Sequence, residues 1–422
     1  MKVLIIGGGG REHALVAACT ADPDVTGVFC LPGSDAIAAQ ARCLPGDPQD
    51  SALVVEEARR HGIDLVLIGP EGPLANGLAD DLQAAGVPVF GPTRAAAGLE
   101  SSKGFAKQFM VRYQIPTAAG EVFGDVAEAE AFVRRRGGPL VVKADGLAGG
   151  KGVMVADTTE EALGAVGAAM RRDRFGPAGR RIVIEEQLRG AEISVLAITD
   201  GERLVVFPPA QDHKALLDGG LGPNTGGMGA YSPVPFVDDR LLQTIEDTIL
   251  RPTLAGLKAD GLDYRGVLYA GLMLTDEGPR VLEFNCRFGD PEAQVILPRF
   301  SGRLAALAAS CAAGYLQPGL AAWREEAAVC VVLCSGGYPD GYDTGYPIGG
   351  LSDAARCPGV TVYHAGTARR DDAWVTAGGR VVSITAVKPS LAAAREEAYR
   401  AASMVRFTGA HYRSDIARAA AR

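Results

Sequence analysis

The sequence predicts an α/β protein in three packed units: an N-terminal doubly wound parallel sheet, a central unit of two α+β subdomains, and a small mixed α/β unit at the C-terminus. Three observations lead there. Short apolar runs alternate with helical segments over the first hundred residues, the pattern of a parallel sheet covered on both faces. From about Ser101 the order changes to strands flanking glycine-rich loops. A chain of 422 residues is also too long for a single compact core. The boundaries fall at 1–101, 102–325 (with a lid subdomain over about 122–190) and 326–422.

The N-terminal unit reads in order as strand Val3–Ile6, helix Arg11–Cys19, strand Val25–Cys30, helix Leu53–His61 and strand Ile63–Ile68. Ligands of such sheets gather at the carboxyl ends of the strands, where the loops Gly7–His13, Pro32-Gly33-Ser34 and Gly69-Pro70-Glu71 lie. A dinucleotide fingerprint is excluded. Glu12 stands where the third glycine would be, and no acidic residue closes the second strand near Cys30. What remains, a glycine loop followed by a helix that opens on Arg11, suits either a bound phosphate or a tight turn.

In the central unit, helix Ser102–Tyr113 carries Lys103 and Lys107 on one face. Strands Leu140–Lys143 and Val153–Val155 flank the loop Asp145–Gly152, whose glycines at 146, 149, 150 and 152 lie among Lys143 and Lys151. This is not a Walker A loop, since Gly-Lys-Ser/Thr is missing, but its backbone can approach phosphate oxygens closely. Strands Arg181–Glu186 and Glu192–Thr199, a long helix Asp238–Lys258, and strands Gly266–Leu274 and Arg280–Asn285 follow. The C-terminal unit supplies strands Ala328–Cys334 and Arg380–Val387 and helix Leu391–Met404.

Composition narrows the function. Hydrophobic residues at 47% and charged residues at 22% mark a soluble globular chain and exclude disorder. Glycine, 55 of 422, is well above the usual ~7% and sits in clusters, as loops that approach ligands do. A net charge of -8 argues against nucleic acid as a partner, while a locally positive pocket for phosphorylated small molecules remains open. The eight cysteines show no CxxC, and Cys330 and Cys334 lack nearby partners for zinc; buried packing in a reducing compartment is expected. Val3–Ile6 is too short for a signal core or a membrane span, so a cytoplasmic protein is expected. With no apolar stripe in evidence, a monomer is the default.

Several residue sets carry chemistry. Strand alternation puts Glu283 and Asn285 on one face, two hard oxygen donors suited to Mg²⁺ bridging nucleotide phosphates. Arg287 can grip a carboxylate or phosphate through two N–H groups, or form a structural pair with an aspartate. Glu185-Glu186-Gln187-Leu188 and Glu192 can hold an adenine and a ribose, or form a solvated strand edge. Gln211–Lys214 and Gly222–Tyr231 make a polar, glycine-dense stretch of the kind that serves function inside a compact domain. His213 within it either titrates near neutrality or merely hydrogen-bonds.

Taken together, GGREHAL at 9–15, GPEGPLANG at 69–77, KADGLAGGKGV at 143–153, QDHK at 211–214, GPNTGGMGAYSP at 222–233, EFNCRFGDPE at 283–292 and YRSDIA at 412–417 resemble the ATP-grasp superfamily. Within it they resemble the phosphoribosylamine–glycine ligases, over essentially the whole chain. The resemblance implies a central ATP-grasp domain whose two subdomains clasp ATP. It implies activation of glycine by ATP as glycyl phosphate, then attack by the amine of 5-phosphoribosylamine to give glycinamide ribonucleotide in de novo purine synthesis, with Mg²⁺ or Mn²⁺.

The same resemblance assigns residues. Lys103 and Lys143 would contact phosphates, with Gly149, Gly150 and Lys151 closing above them. Glu185, Glu186 and Leu188 would lie at the adenine and Glu192 at the ribose. Glu283 and Asn285 would hold the metal. Arg287, Asp212 and Lys214 would act at glycine and its acyl phosphate, with Gly289 and Asp290 beside them. Gly9, Gly10, Arg11, Glu12 and Glu71 would face phosphoribosylamine. The pattern departs at Gly271, where many ATP-grasp enzymes place an acidic metal ligand, so water or phosphate oxygens must complete the metal's shell. A relative acting with bicarbonate or formate would lack GPNTGGMGAYSP followed by RFGDPE. A nucleotide-binding module without turnover would not need Lys103, Lys143, Glu283 and Asn285 together.

Overall fold

In the computed structural model, which describes residues 1–148, 152–172 and 174–421, the N-terminal segment forms a five-stranded parallel sheet. Its spatial order is Arg42–Cys43, Gly27–Pro32, Lys2–Gly7, Leu65–Ile68, Val89–Phe90, which puts the first strand at the centre. The strand order reverses there, so the loops after Gly7 and Ile68 open side by side at the switch point. The second strand begins at Gly27, later than the apolar run suggests, because the Val25 N–H closes a turn onto the Asp22 carbonyl (3.1 Å).

The central unit holds two antiparallel sheets. One, in the order Leu204–Val206, Ala191–Thr199, Gly266–Thr275, Gly278–Asn285, forms the floor beneath the glycine-dense loop. The other belongs to the lid: Gly120–Phe123, Ile182–Glu186, Leu140–Ala144, Val153–Ala156. Lid helices Val126–Arg136 and Thr159–Val166 are capped by Asp125 and Thr158 and close a core of their own around Phe123, Phe132, Val142 and Ile184. The expected long helix runs from Asp239 to Ala259, but passes through a π-type stretch at Glu246–Leu250. Pro252, which has no N–H to return to the preceding turn, follows that stretch directly.

The C-terminal sheet crosses the expected boundary at 326. Gln211–Asp212 and Gly229–Ser232, from the central unit, join Ala327–Cys334, Arg380–Lys388 and Val360–His364 in one antiparallel sheet. Ile5, Ile198 and Cys330 accordingly share a single hydrophobic core drawn from all three units. Cys330 and Cys334 are buried on their strand, as expected, and every cysteine is a free thiol. No helix among the described residues is long and apolar enough to cross a membrane.

A buried histidine pair joins the first and last units. The His364 N–H donates to His13 Nδ1 (3.1 Å), which leaves the ring proton of His13 on Nε2, facing the Gln40 side chain. Burial lowers both imidazoles to about 4, and the neighbouring His13 lowers His364 further. Between about pH 6.5 and 4 the unfolded chain therefore binds more protons than the folded one, and stability falls as pH falls. The thermal midpoint is expected to drop across that window, through a loss of stability on the order of 3 kcal/mol per histidine at most. A His13→Gln, His364→Gln double variant should show a flatter profile in a calorimetric pH series.

Candidate active site

The lid sheet, the floor sheet and the switch point of the N-terminal sheet enclose one cleft of about 600 Å³. At its lid end a buried carboxylate, Glu185, is held by Lys107 (2.7 Å) and Lys143. Lys107 comes from helix Lys103–Arg112, which Ser102 caps by accepting from the Phe105 N–H (3.0 Å). Lys143 comes from the lid and also donates to the Leu282 carbonyl (2.8 Å), next to Glu283. Burial alone would raise the Glu185 carboxyl, but Lys143 and Lys107 outweigh it and hold the group below its ordinary value. Asp145, at the root of the glycine loop, accepts from Ser102 Oγ and the Gly104 N–H (both 2.9 Å) and pairs with Arg181. Lys103 Nζ reaches the Gly146 carbonyl (3.4 Å). Val141, Val183 and Met273 add an apolar wall suited to a flat base.

The floor sheet brings Glu283 and Asn285 into the same cleft from strand Gly278–Asn285. Gly271 is directly across from Glu283 in the register, so the neighbouring strand offers no second carboxylate there. Lys214 bridges Glu192 (2.5 Å) and Glu283 (3.4 Å). Burial works against ionisation of Glu283, yet Lys214, Lys103 and Lys143 hold its carboxyl down at about 2. An ionised carboxylate and an amide oxygen facing a cation-bearing cleft fit one hard divalent ion. Among the described residues no cluster of three or more acidic, His or Cys side chains surrounds a point, so phosphate or water oxygens would complete such an ion's shell.

At the opposite end Arg287 pairs with Glu100 (2.9 Å) and, through its buried Nε, with Glu71 (3.4 Å), and donates to the Phe288 carbonyl (3.3 Å). Burial raises the Glu100 carboxyl above its ordinary value despite Arg287. Burial is outweighed at Glu71, where Arg287 and Arg11 keep the carboxyl low. Asp212 presents a buried Oδ1 with no hydrogen-bond partner; burial and the nearby Glu292 push its carboxyl well up. Glu292 itself accepts from Tyr269 (2.6 Å) and Ser194 (3.0 Å). Burial and Arg413 lower His213 to about 4, and its buried ring Nδ1 has no hydrogen-bond partner. Its backbone N–H donates to the Gly229 carbonyl (2.9 Å).

Most of the residues singled out in the sequence meet here. Lys103, Lys143, Glu185, Glu186, Leu188 and Glu192 line the lid end. Asp212, Lys214, Glu283 and Asn285 line the middle, and Arg11, Glu71, Arg287 and Asp290 the far end. Glu185 is engaged by lysines, so its carboxylate faces cations, while the strand end at Glu186–Leu188 borders the cleft. Gly9, Gly10, Glu12 and Gly289 are not brought to the cleft wall; they shape it. Glu12 caps its helix through the Gly9 N–H (2.8 Å) and pairs with Arg11 (2.6 Å). A Cβ on Gly10 would lie 2.8 Å from Gln294 Nε2, and one on Gly289 2.3 Å from Glu292 Oε2. Gly149, Gly150 and Lys151 lie outside the described residues. Sequence reasoning did not assign Lys107, Glu100, Tyr269, Glu292, Tyr338 or Arg380, all of which line the cleft. Only Lys107 had a local signal, one helical turn from Lys103.

A lid sheet closing over paired lysines, above a floor strand that carries Glu283 and Asn285, defines a ligase of the ATP-grasp class. The chain belongs to the phosphoribosylglycinamide synthetase family: that family's N domain matches residues 1–100, its ATP-grasp (A) domain 101–293 and its C domain 328–419. It is similar to the phosphoribosylamine–glycine ligase of Streptomyces coelicolor, 47% identical over 426 residues and covering 100% of both chains. It is also 49% identical to the trifunctional purine biosynthetic protein adenosine-3 of Gallus gallus, over 98% of this chain and 42% of that protein. The crystal structure of the Thermotoga maritima phosphoribosylamine–glycine ligase is 34% identical, with a TM-score of 0.85 over 99% of this chain and 100% of that one. The biotin carboxylase domain of Hydrogenobacter thermophilus 2-oxoglutarate carboxylase shares the fold at 17% identity, with a TM-score of 0.72 over 97% of this chain and 91% of that one.

Lys107→Met should leave Glu185 with one cation in a buried place and destabilise the fold by about 3 kcal/mol in urea unfolding. Adding Glu185→Gln should recover part of that loss. No recovery would show that the packing of Lys107, not its charge, was removed.

Proposed function

We propose that this chain joins glycine to 5-phosphoribosylamine with ATP, giving glycinamide ribonucleotide, ADP and phosphate in purine synthesis, and that glycyl phosphate is the intermediate. The observation that carries the reading is the order of groups along one cleft: Lys103, Lys107 and Lys143, then Glu283 and Asn285, then Arg287 and Asp212. Family membership supports the same reading.

In the first step the glycine carboxylate attacks the γ-phosphorus and ADP leaves. In the second the amine attacks the acyl carbon, phosphate leaves, and the nitrogen loses a proton. Neither step needs a nucleophilic side chain; both need reactants held in line and charge neutralised. Lys103 and Lys143 supply positive charge at the phosphates, and Arg287, oriented by Glu100 and Glu71, presents its guanidinium to an anionic group. A Mg²⁺ or Mn²⁺ ion held by Glu283 and Asn285 would neutralise phosphate charge. The unpartnered Oδ1 of Asp212 suits a cationic or N–H group of a substrate.

Purified protein with ATP and Mg²⁺ should release ADP only when glycine and freshly generated phosphoribosylamine are both present, with glycinamide ribonucleotide seen by mass. Turnover with another carboxylate instead of glycine would overturn the substrate assignment. Glu283→Gln should cut product formation by about 1000-fold or more, as loss of charge stabilisation at the reacting phosphate would. Its far-ultraviolet circular dichroism should match the parent. Near-normal turnover would remove Glu283 from the metal site.

A further inference from the structure

The C-terminal unit enters the cleft through two side chains. Arg380 opens strand Arg380–Lys388, and its backbone is fixed locally: the Ser335 N–H donates to the Gly379 carbonyl (2.8 Å) and Ser335 Oγ to the Gly378 carbonyl (2.9 Å). Its guanidinium, by contrast, leaves the unit. Nη1 donates to the Gly226 carbonyl (2.6 Å) and the Asp290 carbonyl (2.8 Å), and Nη2 pairs with Asp290 Oδ2 (3.0 Å). The Tyr338 hydroxyl accepts from the Gly226 N–H (3.0 Å). Both polar groups of Gly226 therefore end on side chains of the C-terminal unit.

The peptide held in this way matters to the chemistry. Gly227 follows at φ +111°, and a Cβ there would lie 2.4 Å from Pro291 Cδ and 2.7 Å from Asp212 Oδ1. The 225–227 loop thus packs against the unpartnered oxygen of Asp212 on one side and the Asp290–Pro291 turn, three residues beyond Arg287, on the other. A planar fork with several donors can hold two carbonyls and a carboxylate at once, which a single ammonium cannot.

We propose that Arg380, assisted by Tyr338, is a positioning residue of the ligation site: it locks the 225–227 loop to the 290–291 turn and so fixes Asp212 and Arg287 about the glycine and its acyl phosphate. The proposal rests on the ligase reading above. The C-terminal unit then completes the glycine end of the site and leaves the nucleotide end to the lid and floor.

The test compares the full-length protein with Arg380→Met, Arg380→Lys and Tyr338→Phe in steady-state ADP release, varying ATP, glycine and phosphoribosylamine in turn. Arg380→Met should lower kcat/KM for glycine by about 100-fold, the scale of a small misplacement of reacting groups, while KM for ATP stays within about 2-fold. Arg380→Lys should recover part of the loss. Hydrogen–deuterium exchange of Arg380→Met should speed up in 224–231 and 288–292 and stay unchanged in the lid.

An Arg380→Met enzyme within about 3-fold of the parent for glycine would overturn the proposal, as would a KM for ATP raised well beyond about 2-fold. Unchanged exchange in both segments would overturn it too, and that readout stands whatever the substrate. A parent protein inert with glycine and phosphoribosylamine would instead overturn the ligase reading, leaving the exchange experiment to judge Arg380.

Discussion

The site depends first on a carboxylate placed where a carboxylate is expensive. Glu185 is buried in the cleft wall, and its ionised form persists only because Lys107 and Lys143 reach it from different elements. Two ammonium groups against one carboxylate leave a net positive charge at the end of the cleft where Lys103 also stands. The chain as a whole carries a net charge of -8, so this cluster makes a local field opposite to the overall one. Because Lys143 also binds the Leu282 carbonyl, the same cluster ties the lid to the strand that ends in Glu283 and Asn285.

Alternation of charge continues along the cleft. After the lysines of the nucleotide end come Glu192 and Glu283 with Lys214 between them, then Asp212 and Glu292, then Arg287 between Glu71 and Glu100. Lys214 and Arg287 each face two acids, and the remaining acids are met in different ways. Glu292 is met by the hydroxyls of Tyr269 and Ser194, whereas Asp212 Oδ1 is met by nothing in the protein. A buried carboxylate oxygen left unsatisfied beside acids that are paired marks a place for a donor from outside the chain.

What could be read from the sequence follows from how local each cause is. The pairing of Glu283 with Asn285 needs only the period of two along a strand, and the parallel sheet needs only short apolar runs between helices. Glu12 is a subtler case. Three residues after Gly9 and at a helix start, it has the spacing of a capping residue, and that local reading fits its geometry better than a ligand contact does. The rest depends on distance along the chain. Glu185 meets Lys107 from 78 positions away, and Arg380 meets Gly226 from 154, so no spacing rule could suggest either. The sheet that carries strand Gly229–Ser232 into the C-terminal unit likewise pairs segments far apart in the chain, across the boundary expected at 326.

That crossing sheet also explains how rigidity is distributed. The N-terminal, central and C-terminal units share one core, so Arg11, Asp212, Arg287 and Arg380 are carried on a single body. The lid keeps a separate core and touches the body through polar ties: Glu185 to Lys107, Lys143 to Leu282, Asp145 to the Ser102 cap. Apolar packing resists sliding, because each displaced side chain loses many contacts at once, whereas a few ion pairs and hydrogen bonds can be exchanged for others at small net cost. A reaction with an acyl phosphate intermediate needs both properties: one fixed surface to hold an amine and a carbonyl in line, and one movable cover to keep water from the intermediate. The division of the hydrophobic core supplies them from the same chain.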